Sequence, residues 1–165
     1  MIKKIVIRSI IIMLLITAII LIIVNSLATK IEGYGVLCVS DYDEFYLYKK
    51  ASGRPFLDFG EGHRTTYRIW FSPGQKEKML NKIKEDVNNE LEQIKNNNSN
   101  IIKDYSISDD FTAVDVYYFD DTAETYYFND MKVYSDPDWA QIHSRISLYH
   151  EILGDGLVYQ KMSPI

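Results

Sequence analysis

The sequence predicts an α+β fold: an N-terminal transmembrane helix followed by an antiparallel sheet packed by two amphipathic helices. Three observations predict it. Ile10 to Val24 is apolar at every position except Thr17. Two later stretches, opening near Ser72 and near Asp136, repeat apolar residues at the spacing of a helix with one buried face. Short runs of alternating β-branched and aromatic residues lie before and between them, the pattern of half-buried strands.

The apolar segment is uncharged from Ser9 to Thr29. At a rise of ~1.5 Å per residue it reaches across a hydrocarbon core of about 30 Å. Lys3, Lys4 and Arg8 precede it, and only Lys30 and then Glu32 stand close behind. Flanking cations stay cytoplasmic, so the N-terminus is expected inside and the following domain outside, single-pass in the cell membrane. The alternative is a signal peptide removed after Ser26-Leu27-Ala28, whose small residues suit a signal peptidase, leaving a secreted domain. A buried core helix fits poorly, because the segment is apolar all round. Cys38 follows Val36 and Leu37 rather than a small residue, which argues against lipidation. The chain thus divides into residues 1–29, anchor or signal, and residues 30–165, one extracytoplasmic domain large enough for its own core.

The whole chain carries −5, and without Lys3, Lys4 and Arg8 the remainder carries −8. An acidic domain without a basic stripe is a poor partner for nucleic acid, whose binding is driven by phosphate neutralisation. Cys38 is the single cysteine, so neither an intrachain disulfide nor a cysteine-based zinc site can form, and its expected role is that of a small buried apolar residue.

Taken in order, Gly33–Ser40 is expected to be a first strand, Asp41–Glu44 a turn, and Phe45–Lys49 a second strand. Ala51–Arg64, with glycine, proline and mixed charge, reads as a long loop. Thr65–Phe71 alternates, with Tyr67, Ile69 and Phe71 on one face and Thr66, Arg68 and Trp70 on the other. Ser72 as N-cap, Pro73 in the first turn and Gln75 completing a capping box predict a helix start. Met79, Leu80, Ile83, Val87, Leu91 and Ile94 make its stripe, with Lys78, Lys82, Glu85 and Asn89 opposite, and Asn96–Asn100 ends it. Ile101–Ser108 and Phe111–Phe119 form a hairpin turning at Asp109-Asp110. Ile101, Tyr105 and Ile107 are expected inward, as are Val114, Val116 and Tyr118, with Asp115 outward.

This run, from the helix through Ile107-Ser108-Asp109-Asp110-Phe111 to Val114-Asp115-Val116-Tyr117, resembles a pattern in uncharacterised membrane-anchored extracytoplasmic proteins of low-GC Gram-positive bacteria. The resemblance covers about residues 72–160 and rests on fold-bearing positions. It implies an exported α+β module and carries no catalytic residue across.

Asp120–Ser135 is open between short strands around Asn129-Asp130 and a helical turn with a linker. Asp136-Pro137 opens a final helix with Trp139, Ile142, Ile146, Tyr149 and Leu153 buried and Gly154 as its stop. Leu157–Met162 reads as a short strand or a returning helical turn.

Few residues offer chemistry. His143 and His150 lie about two helical turns apart, ~10.5 Å, too far to share an ion, and are expected at the rim of their stripe. Asp41, Asp43 and Glu44 would at most hold calcium weakly, and no acidic run matches a twelve-residue calcium loop. No metal site and no cofactor is expected. Thirteen tyrosines, seven phenylalanines and two tryptophans are the remaining signal. Tyr46, Tyr48, Arg68 and Trp70 are the candidate ligand-binding residues, on one open sheet face. The expected function is that of a membrane-tethered, non-enzymatic binding or interaction module. The lipid bilayer would hold Ile10–Val24, and a surface protein or peptide would be the partner. The alternative is a cell-surface hydrolase using Cys38 or the Asp58–His63 loop, with His63 as base.

Overall fold

The computed structural model describes residues 2–52, 66–128 and 137–154. The apolar segment forms one helix, α1 (Ile2–Ser26), within which Val6–Ser26 is long and apolar enough to cross a membrane. Its side chains from Val6 to Val24 are exposed, and no residue of this helix belongs to the core formed among the described residues. The remainder is α+β. Among the described residues its strands form two antiparallel three-stranded sheets rather than one.

The first sheet has the order β1–β3–β2, with β1 (Thr29–Ile31), β2 (Tyr46–Ser52) and β3 (Thr66–Phe71). Ile69 and Ile31 are fully buried, and Tyr67 and Phe71 pack on the core, as the alternation of β3 predicts. The strand expected at Gly33–Ser40 is absent. Two 3-10 helices, Gly33–Leu37 and Val39–Phe45, replace it, and β1 lies just upstream. Gly33 adopts φ +63°, which an extended run cannot absorb. Gly35 presses its backbone against the final helix, so closely that an added Cβ would lie 3.0 Å from the Leu148 Cα. Tertiary contact, not strand propensity, sets this segment.

Helix α2 (Gln75–Asn97) carries the expected stripe: Met79, Ile83, Val87 and Leu91 are buried, and Leu80 and Ile94 flank them. Its start differs from expectation. Gly74, at φ +72°, is the N-cap, no side chain caps the helix, and the Ser72 carbonyl accepts from the Gln75 N–H at 3.0 Å. The turn through Gly74 takes the place of a Ser72–Gln75 capping box.

The second sheet has the order β4–β5–β6, with β4 (Ile102–Ile107), β5 (Ala113–Tyr118) and β6 (Ala123–Tyr127). Val114 and Val116 are buried and Tyr118 packs beside them, as expected. On β4 a register shift between Ile102 and Asp104 moves one residue across the sheet. Ile102 therefore joins Tyr105 and Ile107 at the core, and Ile101, expected inward, is 53% exposed. The turn extends past Asp109-Asp110 to Phe111, which is buried at φ +60°. The open stretch after Asp120 begins with β6; residues 129–136 lie outside the described residues, as do 53–65 and 155–165. The loop at Asp58–His63, the Asp136 cap and the Leu157–Met162 expectation fall there.

Helix α3 (Pro137–Leu153) packs against α2, β1 and the first 3-10 helix, and every residue from Ile142 to His150 is buried. Trp139, Ile142, Ile146 and Tyr149 are buried as predicted. Ile152 takes the inward place expected of Leu153, which is exposed. His143 and His150 are buried rather than on a rim, because α3 packs against α2, β1 and the first 3-10 helix at once, with Tyr34 against the His143 ring and the Phe111 carbonyl beside His150.

Candidate functional site

The first sheet has two faces, and its register shows what shares each. Lys30 pairs with Arg68, and Tyr48 with Trp70. Directly opposed residues project to the same side, so these four stand on the outer face, away from Ile31 and Ile69. Tyr48 and Trp70 are in ring contact, with centroids 5.2 Å apart. Tyr46, the other tyrosine expected here, is separated from Tyr48 by a register shift and turns inward; its hydroxyl donates to the Val39 carbonyl at 3.5 Å. The shift at Leu47 thus splits the predicted quartet, bringing Tyr48, Arg68 and Trp70 together and burying Tyr46.

What meets this face could not be read from the sequence. The last turn of α1 ends against it: the Trp70 indole N–H donates to the Val24 carbonyl at 2.7 Å, and Arg68 donates to Asn25 Oδ1 at 2.8 Å. Helix C-termini leave carbonyls without intrahelical partners, and an unmet carbonyl beside hydrocarbon is costly. The Leu27 N–H reaches the Ile23 and Val24 carbonyls at 3.1 and 3.3 Å, Trp70 adds a second donor to Val24, and the Ser26 hydroxyl donates to the Ile23 carbonyl at 2.7 Å. Only Leu27 and Ala28 separate α1 from β1, so helix and sheet join without a linker.

A second constellation is internal. Arg145 of α3 is buried among Glu90 (2.7 Å from Nε), the Tyr42 hydroxyl (2.5 Å from Nη1), Asp41 (3.4 Å) and Asp86 (4.0 Å). The Tyr42 hydroxyl donates to Asp86 at 2.9 Å. Burial would lower the Arg145 pKa, but its bonds to Glu90 and Tyr42 outweigh that and hold it above its ordinary range. Burial raises Glu90, against the opposing pull of Arg145. The network joins the second 3-10 helix, α2 and α3. Its members are far apart in sequence, so no local motif signals it. Arg145 is thereby tied to three carboxylates, of which Asp86 also pairs with Lys82, and the network clips the three elements together.

Cys38 is buried, and burial pushes its thiol up to about 12 against the lowering effect of Arg145. A thiol so protonated is not a nucleophile at neutral pH. Burial lowers His143 to about 4, opposed by a hydrogen bond with the Phe128 backbone; its ring meets Tyr34 edge-on at 5.0 Å. His150 Nε2 lies 3.0 Å from the Phe111 carbonyl. Burial raises Glu151 to about 8, and its carboxyl oxygen accepts from the Glu32 backbone N–H. Asp41 faces Arg145 rather than a vacant ion site, and among the described residues no group of three or more His, Cys, Asp or Glu side chains is placed to hold a metal.

Comparison with protein-family models, with curated proteins and with solved structures finds no match for this chain.

Proposed function

We propose that this chain is a membrane-tethered interaction module, non-enzymatic, with α1 in the bilayer, the N-terminus cytoplasmic and the domain outside. The observation that carries it is α1 itself: a helix of spanning length, exposed from Val6 to Ser26, and joined without a linker to a domain that has its own core. The flanking cations Lys3, Lys4 and Arg8 supply the orientation. The partner is a protein or peptide at the cell surface. In support, Tyr117 and Tyr127 stand exposed on the outer face of β4–β5–β6, and aromatic side chains of this kind are enriched where proteins bind one another.

Two measurements test it. The sole native cysteine is buried with a protonated thiol, so a Ser99→Cys reporter on the exposed turn after α2 has a quiet background. A membrane-impermeant maleimide should label it in intact cells; labelling only after permeabilisation reverses the topology. A photo-crosslinking residue at Tyr127 should then trap a discrete product in cells. Crosslinks to nothing but lipid or water would remove the protein-partner reading.

A further inference from the structure

We infer that the outer face of β1–β3–β2 is a membrane-docking surface that seats the domain on the headgroup layer of the bilayer holding α1. The inference rests on the tethered reading and extends it by naming what covers this face.

Position argues first. The Trp70 indole bonds the Val24 carbonyl, and Val24 is the last residue of the apolar run. With α1 in a bilayer, that carbonyl lies where hydrocarbon gives way to headgroups. Trp70 is then fixed at the depth that tryptophan favours, its ring in the apolar boundary and its N–H satisfied.

Composition argues second. Tyr48, 57% exposed, lies against Trp70, and Leu47 beside it is pushed out by the register shift. Leu27, between α1 and β1, is exposed at the same level of the chain. Arg68 and Lys30 share the face with the aromatics. Arg68 is bonded to a neutral amide there, so its charge can meet a lipid phosphate, whereas Lys30 is paired with Glu32 at 2.7 Å. Aromatic rings with interleaved cations are the side chains that settle at a membrane surface. In a domain whose overall balance is acidic, their gathering at the foot of α1 is a local reversal.

Direction argues third. The side chains of α1 are exposed from Val6 to Val24, so the helix does not lie along the sheet. Among the described residues it is bonded to the outer face at its end, through Val24 and Asn25. The bilayer that surrounds such a helix begins on the outer-face side of the sheet.

The full-length protein in phosphatidylcholine–phosphatidylglycerol vesicles, with quenchers at two depths on the acyl chains, tests this. The chain has two tryptophans, and Trp139 is 6% exposed and stacked on Tyr126, so it serves as an internal reference. In a Trp139→Phe variant, emission from Trp70 should be strongly lost with the shallow quencher and little changed with the deep one. Should that variant fold poorly, the difference between the native chain and Trp70→Phe isolates the same signal. A Leu14→Trp variant reports the anchor separately and should be quenched by the deep label. Deep quenching of Leu14→Trp with Trp70 unaffected by either label overturns the docking while leaving the tether intact. Loss of quenching at both sites overturns the tether as well. If a protein partner occupies the face instead, Trp70 stays unquenched in vesicles of the purified chain, which likewise overturns docking.

Discussion

Arg145 is the residue on which the interior of the domain turns. One buried cation faces Glu90, Asp86 and Asp41 across two other elements, and Tyr42 bridges them. Removing one partner from such a cluster leaves charge without compensation, at a cost of about 3–5 kcal/mol. Arg145→Ala should therefore lower the unfolding midpoint of the detergent-solubilised chain sharply, by far more than Lys103→Ala at the exposed pair with Asp121. A similar midpoint for the two would show that the clip is energetically idle. Among the described residues, buried Glu151 and His143 tie stability to pH in opposite senses. Glu151 rises from 4.5 to about 8 on folding, so the folded state holds a proton that the unfolded chain releases. Its contribution is present below pH 4.5 and is lost as pH climbs to about 8. His143 falls from 6.5 to about 4, so its contribution is present above pH 6.5 and is lost as pH drops towards 4. The two oppose each other at mildly acid pH, and only Glu151 acts between about 6.5 and 8. Thermal melts should show stability declining across that upper window, and Glu151→Gln should flatten the decline. A native profile already flat there would refute the assignment.

At the scale of elements, the sequence was most informative where local pattern and tertiary packing agree. The α2 stripe, the faces of β3 and the inward valines of β5 follow from period alone, because each element buries one side. It was least informative where a distant backbone decides. The 3-10 segment at Gly33–Leu37 replaces a strand because α3 passes against Gly35. The register shift on β4 exchanges Ile101 for Ile102, and Gly74 pre-empts the Ser72 cap. The candidate face was legible as the alternate side of β3, but the arrival of α1 upon it was not, since nothing local links Trp70 to Val24. Gly35→Ala tests the closest of these approaches. Its Cβ would lie 2.9 Å from Glu151 Oε1 and 3.0 Å from the Leu148 Cα. Overpacking of this kind costs about 1–3 kcal/mol, to be read as a lowered denaturation midpoint. An unchanged midpoint would mean that the 3-10 turn relaxes away from α3 freely.

At the scale of the molecule, the prominent property is continuity between α1 and the domain. Arg68 and Trp70 clasp the end of the helix while β1 begins directly beyond Ala28. A flexible glycine–serine segment inserted after Leu27 should preserve the domain, whose core does not involve α1, while releasing Trp70 from the helix end. The expected signature is an unchanged melting midpoint with a red-shifted Trp70 emission. A collapsed midpoint would instead make α1 part of the fold.

The missing linker also fixes how far the molecule can act. A chain on a long stalk searches a volume; one whose first strand starts two residues past its helix sweeps only a thin layer. A domain of this size is on the order of 35–40 Å across, so, tethered as proposed, its contacts end about that far from the lipid. Whatever it engages must come to the membrane, as a neighbour in the same plane or a segment delivered to it.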